Sequence, residues 1–395
     1  MHIQAFSISR LPRIEFGSGV LSKLPQCVMR YGTRALLITG ARSFEDSTQG
    51  QRVCADLAAA GIRYEVFKIQ GEPSPETVDA AVERYRDYGC QVVVGIGGGS
   101  ALDAAKAIAG LLIPGNSVMD HLEGVGPERQ YEGPAVPFIA VPTTAGTGSE
   151  ATKNAVLSLQ GAQGFKKSFR DDKLVAEIAL VDPDWLVNCP PEVIAANGMD
   201  AFTQLLESYV SSKATPLTDS LAWGGMKAAR DGLLPLYHNA GDADARIRMA
   251  YAALISGITL AQVGLGSVHG LAAPLGAFFP IPHGVVCGTL VAAATRINID
   301  TLLAREPQHP ALEKYALTGR LLNQQHALSP HESLTALVDI LTRWTDSLKL
   351  PRLNHYGVNA DDFPRIVTNS RGSSMRTNPI VLTDADITRI LQARL

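Results

Sequence analysis

Four residues in the second half of the chain have the types and spacing of a metal site. Asp200 and Gln204 lie four positions apart in GMDAFTQLLESYV, so a helix there presents both on one face. His269, inside GSVHGLAAPLGAFF, and His283, inside FPIPHGVV, are imidazoles in apolar text with glycine beside each. A carboxylate with imidazoles suits Zn(II) or Fe(II), and a catalytic centre needs only about three protein ligands, with one position open to substrate. Asp200, His269 and His283 supply that set as candidate catalytic residues, and Gln204 is a further candidate ligand. A histidine on an Ala-rich helix is more often a hydrogen-bonded core residue than a ligand. These two differ from the other seven in having no acid nearby in the sequence to pair with, whereas the rest lie in polar or loop text.

A second kind of chemistry is written in the first half. The apolar run 92–96 (VVVGI) leads into Gly97-Gly98-Gly99-Ser100 and then the helical text ALDAAKAIAGLL. Glycines let the backbone turn tightly and approach a ligand, and free amides at a helix start favour phosphate oxygens. Gly98, Gly99 and Ser100 are therefore candidate contacts for a pyrophosphate. The run 138–141 (FIAV) is followed by PTTAGTGSE, where Thr143, Thr144 and Thr147 with glycines form a loop rich in donors and slim enough for a flat ring to lie beside it. Either loop alone could be a plain turn. Two such loops at successive strand ends point to a dinucleotide.

A site that prefers NAD usually sets an acid against the ribose 2′-hydroxyl at the end of the first strand of such a unit. Here the strand ends Thr39-Gly40-Ala41-Arg42-Ser43, with no acid until Glu45. Gly40 leaves room, and Arg42 and Ser43 are candidates to hold a 2′-phosphate, so the expected cofactor is NADP, with NAD as the alternative.

The elements that would position these residues can be read from periodicity. Short runs at 35–39, 64–68, 92–96, 138–141 and 178–181 read as buried strands, with helices over 47–60 and 76–88, the latter capped by Ser74. Strand alternating with helix predicts a parallel sheet, with ligands at the carboxyl ends of its strands. After Asp182-Pro183-Asp184 the text becomes Ala- and Leu-rich with helical spacing, over 191–210, 216–237, 243–263, 267–279 and 285–297. Further helices are expected over 311–323, 331–348, 361–369 and 384–393. The expected architecture is an α/β N-terminal dinucleotide-binding domain with a parallel sheet over 1–185, and an all-α C-terminal metal and substrate domain over 186–395.

Composition narrows the class of partner. At 395 residues, 46% hydrophobic and 18% charged, the chain can bury large cores throughout, and a net charge of −3 without a basic stripe argues against nucleic acid and acidic membrane. A small-molecule substrate is expected. Cys27, Cys54, Cys90, Cys189 and Cys287 are scattered, odd in number and without a CxxC pair, which reads as free thiols rather than a disulfide framework or a thiolate metal site. The first 25 residues lack the order of a signal peptide, and no stretch of 18 uninterrupted apolar residues occurs, so a cytoplasmic address is expected.

Together these residues resemble the iron-dependent (group III) alcohol dehydrogenases, the family of lactaldehyde, butanol and glycerol dehydrogenases. The resemblance runs through Phe16-Gly17, GIGGGSALDAAKAIA from Gly95, PTTAGTGSEATKNAV from Pro142, DPDWL from Asp182, GMDAFTQLLESYVS from Gly198, VHGLAAPLGAFFPIPHG from Val268 and NPIVLTDADI from Asn378. It implies a metal in the cleft between the two domains, nicotinamide-side contacts from Thr143, Thr144 and Thr147, and a cofactor-contacting Lys166. Asp103 and Asn154, inside the quoted motifs, join the candidate cofactor contacts, and a homodimer or higher homo-oligomer is expected. Two positions depart from the family. Gln204 stands where members usually have His, and Ala273 where another His is common. An amide oxygen is a weaker ligand than imidazole, and a three-ligand zinc site resembles the glycerol dehydrogenase branch. Without an imidazole at 273, solvent or ribose hydroxyls would carry the proton.

The implied activity is NAD(P)-dependent, metal-assisted interconversion of a small alcohol and its aldehyde or ketone. Two alternatives share the fold. One is a metal-independent reductase like the maleylacetate reductases, with Arg371 and Arg376 meeting an anionic substrate; the other is a lyase of the dehydroquinate synthase type.

Overall fold

The computed structural model describes residues 5–41, 44–161 and 163–395. Its N-terminal half is built on six parallel strands: β1 (Arg13–Phe16), β2 (Arg34–Gly40), β3 (Arg63–Ile69), β4 (Val92–Gly97), β5 (Phe138–Pro142) and β8 (Ile178–Val181), in the spatial order β1-β8-β5-β4-β2-β3. The crossovers carry α1 (Leu24–Met29), α2 (Thr48–Ala59), α3 (Pro75–Tyr85) and α4 (Gly99–Leu111). Ser47 and Ser74 cap α2 and α3, each accepting a backbone N–H three residues on.

The alternation of strand side chains divides two cores. Leu36, Ile38 and Val93 face α3 and α4 through Val78, Ala81, Leu102 and Ile108. Their neighbours Ala35, Leu37, Val92 and Val94 face α1 and α2 through Leu24, Val28, Val53 and Leu57. Both faces of β4 are thus covered, which is why its sequence is continuously apolar. The chain extends from β2 to β3 on one side and then returns past β2 to β4, so the order reverses between β2 and β4, the position at which open α/β sheets bind ligands.

Three strands escape the sequence reading. β1 is a four-residue edge strand, RIEF, with two charges. The antiparallel pair β6 (Asn154–Leu159) and β7 (Phe165–Arg170) stands outside the main sheet, and β7, FKKSFR, has half-exposed cations where a core strand would have apolar residues. None offers the period that periodicity arguments need.

The C-terminal half is helical: α5 (Pro191–Val210), α6 (Pro216–His238), α7 (Ala243–Val263), α8 (Ser267–Phe278), α9 (His283–Arg305), α10 (Pro310–Asn323), α11 (Pro330–Ser347), α12 (Phe363–Asn369) and α13 (Asp384–Ala393). The correction that matters most is α9, expected over 285–297. Extended Pro282 hands over directly to helix at His283, and the helix continues to Arg305. It is long and apolar enough to span a membrane by length and composition, but 89% of that stretch is buried inside the fold. The two halves are sutured where Ala145, Ala151, Ala179 and Val181 join the helical core. At Gly257 of α7 a Cβ would lie 2.1 Å from the carbonyl oxygen of Gly148, which itself holds φ +62°; only paired glycines permit this approach.

Candidate active site

One cleft of about 1430 Å³ runs from the carboxyl ends of the parallel strands to the helices. A pocket for one small ligand occupies roughly 300–1,000 Å³, so this volume suits a dinucleotide together with a substrate. At its sheet end, β4 turns at Gly97-Gly98 into α4. Gly98 occupies the N-cap without a side-chain cap, which leaves first-turn N–H groups of α4 for a ligand. The loop after β5 packs on this turn: a Cβ at Gly99 would lie 2.6 Å from Thr147 Cγ2. Glycine here lets Thr147 approach the turn that opens α4. Gly40, Gly98, Gly99, Ser100, Asp103, Thr144, Thr147, Asn154 and Lys166 all line the cleft. Thr143 is buried and binds β5 to β4 instead, its amide donating to Gly97 O at 3.0 Å. Arg42 and Ser43 lie outside the described residues. Glu45, the first acid after β2, is engaged by Lys68 Nζ at 2.6 Å.

Several of the polar candidates are tied to one another. Asp103 accepts from Ser149 Oγ at 2.5 Å and pairs with Lys106 Nζ at 3.1 Å, which fastens α4 to the Thr-rich loop. Lys166 donates to Glu72 Oε1 at 2.5 Å, and Glu72 also accepts from Ser158 Oγ. Burial opposes ionisation of Glu72, but Lys166 outweighs it and holds the carboxyl below its usual range. Arg371 donates to Leu382 O and to Asp384, so its guanidinium is already occupied, although it lines the cleft with Arg376.

At the helical end, Asp200 of α5, His269 of α8 and His283 at the start of α9 converge with Cys287, one turn further along α9. One donor atom from each lies within 4.8 Å of the others. His269 Nε2 is 3.2 Å from Asp200 Oδ1, and His283 Nε2 is 3.7 Å from the same oxygen. Cys287 Sγ is 3.5 Å from His269 Nε2 and 3.8 Å from His283 Nε2. Behind His269 stands Glu207, two turns from Asp200 on α5. It accepts from His269 Nδ1 at 2.7 Å and from the Val268 amide at 2.7 Å. With its proton on Nδ1, His269 presents a lone pair at Nε2.

That nitrogen faces the Asp200 carboxylate at 3.2 Å, so a proton or a metal ion lies between the two. Asp200 Oδ2 and His283 Nδ1 are buried without a hydrogen-bond partner among the described residues. The orphaned Asp200 Oδ2 and the O, N and S donor set fit a divalent ion. The electrostatics show the same demand for positive charge at this point. Burial works against the charged form of Asp200, but His283 and His269 outweigh it and hold its pKa at about 2. Burial likewise opposes charging of His269, yet Cys287, Asp200 and Glu207 raise its pKa well above the ordinary value. His283 is pushed down to about 4 by burial, with Lys166 and His269 adding to the effect against Asp200.

The structure adds to the sequence reading in three respects. His269 has acids beside it, Glu207 and Asp200, contributed by another helix. Gln204 lines the cleft, and its Oε1, the only atom that could ligate, accepts from Ser256 Oγ at 2.6 Å, which leaves one of its two lone pairs for a further partner. The cysteines are free thiols as expected, but Cys287 stands in a possible metal cluster, contrary to the inference that no thiolate site exists. A signal was present: HGVVC places a thiol four residues after His283, on the same face once α9 begins at His283. Ala273 lines the cleft and supplies no imidazole.

A strand-end glycine turn with free helix N–H groups opens into the same cleft as a buried carboxylate–imidazole cluster, the arrangement that a nucleotide-dependent, metal-assisted enzyme needs. The sequence profile described as "Iron-containing alcohol dehydrogenase" matches residues 12–183, and that of the "Fe-containing alcohol dehydrogenase family, C-terminal" matches residues 194–395. The chain is 32% identical over 394 residues to long-chain-alcohol dehydrogenase 1 of Geobacillus thermodenitrificans, covering 98% of this chain and 97% of that protein. It is 30% identical over 388 residues to the NAD-dependent methanol dehydrogenase of Bacillus methanolicus, covering 97% and 98%. The crystal structure of a 1,3-propanediol oxidoreductase superposes with a TM-score of 0.90 at 26% identity, covering 99% of this chain and 100% of that one. The chain belongs to the iron-containing alcohol dehydrogenase family. It is an alcohol dehydrogenase, an oxidoreductase acting on the CH–OH group.

Proposed function

We propose that this enzyme interconverts a small alcohol and its aldehyde or ketone with NADP(H) in preference to NAD(H), and that Asp200, His269 and His283 hold its metal. The observation that carries this reading is that Gly98, Gly99 and Ser100 line the same cleft as those three residues. When bound, the nicotinamide supplies a hydride donor or acceptor, and the divalent ion supplies Lewis acidity at the substrate oxygen.

The residues of the chain do the positioning. Gly98, Gly99 and Ser100 receive the pyrophosphate on the N-terminus of α4. Thr144 and Thr147 flank the path of the nicotinamide, and the Asp103–Ser149 bond keeps their loop against α4. Glu207 holds the His269 ring so that Nε2 faces the cluster. The Lys166–Glu72 pair gives the cleft a charged lining whose field reaches His283. At position 273 a methyl group offers no proton acceptor, so the hydroxyl proton passes to solvent or to the ribose hydroxyls.

Support for NADP(H) comes from the end of β2. Gly40 and Ala41 line the cleft there, no carboxylate occupies either position, and Glu45 is neutralised by Lys68. Elemental analysis of the purified protein, run beside a screen of small aldehydes for NADPH and NADH consumption, tests the reading. One equivalent of divalent metal and faster NADPH oxidation are expected. Metal-free protein with undiminished turnover would overturn the metal assignment, and faster NADH oxidation would overturn the cofactor preference.

A further inference from the structure

The cluster contains a donor that neither the sequence pattern nor the three-ligand reading uses. Cys287 is fully buried, and its sulfur faces the same point as the imidazole Nε2 atoms of His269 and His283. Tetrahedral ligation with Zn–S near 2.3 Å and Zn–N or Zn–O near 2.0–2.2 Å places neighbouring donor atoms about 3.3–3.6 Å apart. The separations of 3.2 Å (His269–Asp200), 3.5 Å (Cys287–His269), 3.7 Å (His283–Asp200) and 3.8 Å (Cys287–His283) lie close to that range before any ion has drawn the donors together. Meanwhile the amide oxygen of Gln204 is held by Ser256.

We propose that Cys287 is the fourth protein ligand, completing an Asp200–His269–His283–Cys287 set. This rests on the reading of Asp200, His269 and His283 as a metal site. Ligation forms a metal–sulfur bond and releases the thiol proton to solvent, with no change of oxidation state. With four protein ligands, a substrate oxygen would be held as a fifth donor, an expansion that catalytic zinc reaches in its transition states. A thiolate donor favours a borderline ion over the hard Mg(II), Ca(II) and Mn(II) that carboxylate and carbonyl oxygens suit.

The full-length protein, stripped of metal and reloaded with one equivalent of cobalt(II), gives a direct optical test. A near-ultraviolet thiolate-to-cobalt charge-transfer band is expected in the wild type and is expected to vanish in Cys287→Ser. Zinc affinity of that variant, measured by chelator competition, should fall roughly ten- to hundred-fold or more. X-ray absorption of the zinc-loaded wild type needs no variant and should show one sulfur neighbour near about 2.3 Å. A first shell of nitrogen and oxygen alone, no band at full cobalt occupancy, or a band that survives Cys287→Ser would overturn the assignment of Cys287. If His269→Ala still binds one equivalent of cobalt as tightly as the wild type, the metal-site reading itself fails.

Discussion

Glu207 grips His269 from behind: one carboxylate oxygen accepts its Nδ1–H and the other accepts the amide of Val268, both at 2.7 Å. The ring can therefore neither flip nor swing away from Asp200. Replacing Glu207 with Gln keeps the shape but removes the charge that makes Nε2 a strong donor. Metal affinity should fall about ten- to hundred-fold, the usual cost of losing such a support. Chelator competition measures it, and an unchanged dissociation constant would show that the contact is only structural.

His269→Ala and His283→Ala remove proposed ligands outright. Both variants should lose bound metal, and turnover should drop roughly 10³-fold or more, as the loss of several kcal/mol of Lewis-acid stabilisation implies. Steady-state rates beside metal analysis decide the matter. Near-normal rates in metal-free variants would favour a metal-independent reductase.

The cofactor preference is testable at Gly40. An aspartate at the end of β2 would set a carboxylate against a 2′-phosphate, and such like-charge juxtaposition is costly. Gly40→Asp should lower the ratio of kcat/KM for NADPH to that for NADH at least about tenfold, equivalent to about 1.4 kcal/mol. An unmoved ratio would place the ribose elsewhere.

Glu150 offers a stability test away from the metal. Burial raises its pKa to about 7, against the lowering effects of its own backbone hydrogen bond and of Lys106. Below about pH 4.5 the group is protonated both folded and unfolded and costs nothing. As pH rises towards 7 the unfolded chain releases a proton that the native state retains, so stability falls, and above 7 the full cost of the buried anion is present. Glu150→Gln should therefore match the wild type near pH 4.5 and be more stable at pH 8 by on the order of 1–3 kcal/mol. Thermal melts across this range check it; a difference independent of pH would mean that Glu150 is not the group responsible.

The sequence by itself determined the elements that repeat and the residues that stand in recognisable text. The apolar run of β4, followed by three glycines and helical text, reads as a strand turning into a helix because both features are local. Asp200, His269 and His283 were legible through their surroundings in the same way. Tertiary structure alone decided what lies between those segments. Glu207 reaches His269 across 62 positions, and Ser256 reaches Gln204 across 52. Neither separation has a period from which to infer it. Cys287 shows the reason most clearly: scattered cysteines in an apolar chain are ordinarily packing residues. It becomes a candidate ligand only because α9 starts at His283, which turns its sulfur onto the imidazoles, while α5 and α8 cross beside it to bring Asp200 and His269 within 4.8 Å. Helix faces follow from spacing along the chain, but which faces meet is settled by packing between elements remote in sequence.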